Sequence, residues 1–134
     1  MRLDADRQWV PDWEDGEQDP MAVPTIGWIT WHIGWWWTSA SDHAHGLRIR
    51  DRTDVVWPGS LDEVIAWLRG LRLEWMSILN GYNEADLDVP ATYPWGIDSG
   101  MTVAHTVAWV NAELMKNVAE IGQLRLLWAA SPAR

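Results

Sequence analysis

His32, Glu113 and Asn117 are the residues of this sequence whose types and spacing could do chemistry. His32 is the only basic residue in the run Ile26-Gly-Trp-Ile-Thr-Trp-His-Ile-Gly-Trp-Trp-Trp37, with no polar surface nearby to retreat to. Glu113 and Asn117 lie four residues apart, so a helix carries them on nearly one side, with Glu120 flanking them a turn further on. Polar groups at core-facing positions cost free energy unless they are hydrogen-bonded or ligate something. One imidazole nitrogen and two side-chain oxygens around a point would suit a divalent metal with open positions for water or substrate. The same groups would also make a buried hydrogen-bond network that fixes helix register without metal or reaction. Residue types favour the network, because asparagine is a poor transition-metal ligand.

Asp42-His43-Ala44-His45 offers a second cluster, although cationic side chains near the last carbonyls of a helix are commonly solvated caps. His105 precedes Glu113 by two turns, about 12 Å along a helix, too far to share an ion without a third element. The sequence has no cysteine, which removes disulfides, thiolate metal sites and a cysteine nucleophile. No glycine-rich phosphate loop, nucleophile elbow or HExxH zinc motif is present. The thirteen tryptophans are most simply core, and could also line an apolar cavity beside the polar cluster.

Three helices must position these groups. Pro24 cannot continue a helix backwards and Thr25 can cap one, which predicts a helix over about 25–43. It is apolar all round and therefore central, and Gly27 and Gly34 share a face where another backbone could approach closely. Ser60-Leu-Asp-Glu63 reads as a capping box, and Leu61, Val64, Ile65, Leu68, Leu71, Trp75, Ile78 and Leu79 form a stripe running to an Asn80-Gly81 stop. A last helix from about Thr102 to Ala130 carries the seam Val103, Val107, Val110, Leu114, Asn117, Ile121, Leu124, Trp128 in alternating steps of four and three. Residues 82–100 read as a long loop, and no strand pattern competes. The fold class is all-α, with residues 1–24 an extended polar lead-in and 25–134 the helical domain.

At 134 residues the chain is sized for one domain, and 48% hydrophobic composition excludes wholesale disorder. A net charge of −9 argues against nucleic acid as a partner. The apolar run is shorter than a membrane span and holds His32, and the acidic N-terminus lacks a signal-peptide pattern, so a cytoplasmic protein is expected.

Two stretches resemble the DinB-like superfamily: Thr25 to Trp37 followed by Asp42-His43, and Val110-Asn-Ala-Glu-Leu-Met-Lys-Asn-Val-Ala-Glu-Ile121. The Trp57-Pro-Gly59 turn and the capped helix after it look like the actinobacterial branch of that superfamily, and the likeness covers about residues 20–130. The resemblance implies a four-helix bundle, often dimeric, with a metal held by a second-helix histidine and two last-helix ligands four apart. It implies thiol-dependent transferase or isomerase activity, with mycothiol or bacillithiol among the cosubstrates. His32 and Glu113 match that ligand pattern, while Asn117 stands where a histidine is usual. The expected cofactors are therefore a divalent Zn, Ni or Fe ion at a degenerate site, and a low-molecular-weight thiol. Met1 to Pro24 is too short and proline-rich to supply the family's first helix, so a homodimer burying Trp-rich surface is expected. The competing reading is a non-catalytic bundle that binds a small apolar ligand or a protein partner and uses the polar cluster only for packing specificity.

Overall fold

Pro24 and Thr25 set where the first long helix begins, as their chemistry requires. The computed structural model describes residues 1–12 and 24–131. Helix α1 spans Ile26–Ala44, and the Thr25 hydroxyl accepts from the Trp28 N–H at 3.1 Å. Helix α2 spans Leu61–Gly81, starting after Ser60, whose hydroxyl accepts from the Glu63 N–H and donates to the Glu63 carboxylate at 2.6 Å. That carboxylate closes on the hydroxyl where a full capping box would have it take the Ser60 N–H. Gly81 remains helical and Tyr82 forms the C-cap, so the Asn80-Gly81 stop lies one residue later than the sequence suggests. Helix α3 spans Val103–Ala130, and the Thr102 N–H donates to His105 Nδ1 at 3.1 Å. His105 is therefore a capping residue on the exposed side.

The expectation that α1 is central holds. Ile29, Ile33, Trp36, Trp37 and Ala40 of α1 join Leu71 and Trp75 of α2 and Val110 of α3 in one buried cluster. Removing these side chains from water is the main favourable term holding the bundle together. Helix α3 runs antiparallel to α1: Val103, Thr106 and Val107 adjoin Ala40 and His43, while Leu124 and Trp128 adjoin Ile26 and Gly27. The α3 seam is buried or partly buried from Val103 to Leu124, but Trp128 is 85% exposed. A helix of 28 residues is about 42 Å long against about 28 Å for the 19 of α1, so its last turn overhangs its partner. Leu61 and Ile65 of the α2 stripe are exposed although Val64 between them is buried, so the stripe at this end of α2 is only partly covered.

The two α1 glycines admit side chains, not a backbone. The Trp67 ring of α2 lies where a Cβ on Gly34 would be, and Met1 and Trp57 approach Gly27. The connection between α1 and α2 is pinned to α1 by indole N–H groups that must find acceptors when buried. Trp31 donates to the Val55 carbonyl at 2.7 Å, and Trp57 donates to the Thr30 hydroxyl at 3.0 Å. Buried Asp42 adds an ion pair with Arg50 at 2.9 Å.

Over its first twelve residues the lead-in is more structured than an extended segment. Strands β1 (Arg2–Leu3) and β2 (Trp9–Val10) pair antiparallel, and Trp9 packs edge-on against Trp57 with ring centres 6.0 Å apart. Its carbonyl accepts from the Trp57 N–H at 2.9 Å. These short strands escape a pattern search because two residues show no alternation. The rest of the lead-in, 13–23, lies outside the described residues. Two 3-10 turns, Arg52–Asp54 and Glu84–Asp88, break up the connections. Among the described residues, no helix is long and apolar enough to cross a membrane.

Candidate functional site

The middle of α1 and of α3 bring His32, Glu113 and Asn117 into one neighbourhood. His32 is partly buried and stacked on Trp28, ring centres 5.0 Å apart and planes 12° from parallel, with Trp31 and Trp35 also against it. Its pKa is lowered from 6.5 to about 4, first by burial, then by the Lys116 charge, with Glu113 opposing and Arg52 adding to the fall. The imidazole and the Glu113 carboxylate thus lie within electrostatic reach of each other. At neutral pH His32 is uncharged.

The other two groups are committed elsewhere. Glu113 pairs with Lys116 at 2.5 Å, one turn along its own helix. Asn117, 2% exposed, accepts from the buried Trp36 indole N–H through Oδ1 at 3.1 Å and donates through Nδ2 to Glu120 at 3.1 Å. A divalent ion drawing on His32, Glu113 and Asn117 would sit beside the Lys116 ammonium and compete with it for the carboxylate. It would also have to share the amide oxygen with a buried indole donor that has no other acceptor. This donor set fits a divalent cation poorly, although the neutral imidazole is in the right state to ligate one. Among the described residues, no group of three or more His, Asp or Glu side chains is placed to hold an ion.

His43 and His45 part company. His45 faces Glu74 of α2 at 3.5 Å, while His43 lies against Tyr93 with ring centres 6.0 Å apart and has its pKa lowered by burial.

Beside His43 is a feature that sequence reasoning missed. A cavity of about 330 Å³ lies among the C-terminal ends of α1 and α2, the Glu84–Asp88 turn and the N-terminal end of α3. Ala40, Trp75, Val89, Val103 and Val107 give it apolar walls, and His43, Tyr82, Asp86 and Thr106 supply polar groups. His43 is eleven residues from His32, about 16 Å along the helix, so this is a separate place from the polar cluster. Tyr93 closes the loop over the bundle: its hydroxyl donates to the Trp36 carbonyl at 3.3 Å, and its own carbonyl accepts from the Thr106 hydroxyl at 2.9 Å. Burial raises the Tyr93 pKa to about 12, a Ser39 hydrogen bond pulls it back and Glu113 raises it further, so it stays protonated. One signal for this region was present: Asn83 three residues before Asp86 is a capping pair, and both of its bonds form.

An all-α bundle built on one Trp-rich central helix that carries His32, with Glu113 and Asn117 on the last helix packed against it, defines the structural class. The chain belongs to the DinB superfamily, whose family profile matches residues 4–121. No curated protein and no solved structure matches it.

Proposed function

We infer that this DinB-superfamily protein binds a small, mainly apolar molecule in the cavity at the ends of α1 and α2, while the His32 cluster locks α1 against α3. The cavity carries this reading. Its volume of about 330 Å³ lies at the small end of ligand pockets, and its walls combine apolar side chains with a few convergent polar groups. The family's metal and thiol chemistry would need Glu113 to leave Lys116 and Asn117 to share its oxygen with Trp36, and neither rearrangement is favoured by the contacts present.

Calorimetric titration with 2-phenylethanol, a neutral aromatic probe, tests the cavity. Saturable binding is expected to wild type and not to Val107→Phe, which fills the space; equal binding by both would move the ligand elsewhere. In parallel, protein equilibrated with Zn, Ni or Fe(II) and then desalted should retain only substoichiometric metal. One ion per chain, lost on His32→Ala, would overturn the structural role given to the cluster.

Self-association belongs to the same proposal. Its support is the exposed apolar surface of α3, since the Trp-rich helix is itself covered: Trp31 and Trp36 are each 1% exposed. A homodimer would therefore bury α3 surface in place of the Trp-rich surface that the sequence suggests.

A further inference from the structure

Among the described residues, Asp86 is the only formally charged one on the cavity wall. Its Oδ2 accepts from the Asn83 N–H at 2.8 Å, and among the described residues no basic side chain pairs with it. Two further groups on the wall keep the cavity free of positive charge. Burial lowers the His43 pKa, leaving a neutral imidazole with one lone-pair nitrogen, and burial together with the Asp86 charge raises the Tyr82 pKa, leaving a protonated phenol. Trp75, 5% exposed, contributes an aromatic ring to the same wall.

We propose that the cavity selects a primary amine carried on a compact aromatic or branched aliphatic body, with the ammonium group held by Asp86 and the hydrocarbon body packed among Ala40, Val103 and Val107. An ammonium has three N–H donors and no acceptor. The wall offers it three acceptors: the second Asp86 oxygen, a His43 nitrogen and the Tyr82 oxygen. The Asp86 carboxylate has no basic partner among the described residues, so a cationic ligand gains an attraction that a neutral one of the same shape does not. An aromatic wall favours a cation as well. Anionic ligands meet the opposite field, from Asp86 locally and from a chain of net charge −9 at longer range. The size of the cavity limits the body to roughly that of a single substituted ring.

This assignment rests on the cavity being a ligand site, and the test separates the two. Calorimetry on the full chain compares 2-phenylethylamine, 2-phenylethanol and 3-phenylpropionate, which share a body and differ in charge. The amine is expected to bind about tenfold or more tightly than the alcohol, corresponding to one charge-assisted hydrogen bond, and the acid not to bind. Asp86→Asn keeps an oxygen for the Asn83 N–H and removes the charge; it should erase the advantage of the amine and leave the alcohol unchanged. Tyr82→Phe, which preserves charge and ring, should weaken the amine alone and by less. Amine and alcohol binding equally to wild type would overturn the amine assignment while the cavity reading stands. Failure of all three probes to bind would overturn both.

Discussion

Asn117 satisfies two neighbours at once, and its value lies in what each would lose without it. The Trp36 indole N–H is buried at 1% exposure and has the Asn117 oxygen as its acceptor. Asn117→Ala leaves that donor dry and opens a small void, so a loss of about 1–3 kcal/mol is expected in chemical denaturation. Asn117→Asp, which keeps the acceptor but places a charge beside Glu120, should recover only part of it. His32 gives a pH signature. Its folded pKa of about 4 lies below the ordinary 6.5, so between those values the unfolded chain binds a proton that the folded chain refuses. Its contribution is fully present above pH 6.5 and is lost as the pH falls towards 4, with a ceiling of about 3 kcal/mol. His43 leans the same way, so the measurement is the difference between wild type and His32→Phe, which keeps a ring on Trp28 but cannot titrate. Parallel stability curves for the two from pH 7 to 4 would contradict this account of His32. These interior residues were legible because helical spacing fixes which side a residue faces. Tyr82, Asp86 and Tyr93 were not, since each acts from a loop or a helix end, where no period tells inward from outward.

At the level of elements, the packing of α2 on α1 turns on one small residue. Gly34 leaves room for the Trp67 ring, and a methyl group there would overlap it. Glycine inside a helix costs about 1 kcal/mol relative to alanine, so the ring must return at least that much through its packing. Gly34→Ala should therefore destabilise wild type by about 1–2 kcal/mol, as expected for overpacking partly offset by better helix propensity. In a Trp67→Ala background the same change should become neutral or stabilising, because only the propensity remains. A double-mutant cycle read by urea midpoints would show that reversal of sign, and additive effects would mean that the ring does not depend on the glycine. Helix starts were legible because Thr25, Ser60 and Thr102 cap through their own side chains or through partners three residues on. What faces each helix was less so. Periodicity identifies an apolar stripe but not how far the partner helix reaches, which is why Trp128 continues its stripe into solvent.

For the molecule as a whole, the two helices packed on α1 leave the outer side of α3 without a neighbour among the described residues. Met115, Val118 and Leu126 fall on one side of that helix and are 74%, 55% and 73% exposed. Exposed apolar side chains on one side of a helix favour association, whereas a charge of −9 on each chain opposes it. The two influences respond differently to salt. Screening shortens the reach of charge repulsion to about 8 Å at physiological ionic strength and about 3 Å at 1 M, while burial of apolar side chains is not weakened. Sedimentation equilibrium should therefore show a monomer–dimer balance that shifts towards dimer between low and high sodium chloride. Val118→Glu adds a charge in the middle of the exposed side, far from the core cluster, and should return the protein to monomer at every salt concentration without lowering its stability. A protein that stays monomeric in high salt would show that this side of α3 does not pair with a second copy. A dimer that instead dissociates as salt rises would place ionic contacts, and not this apolar side, at the interface.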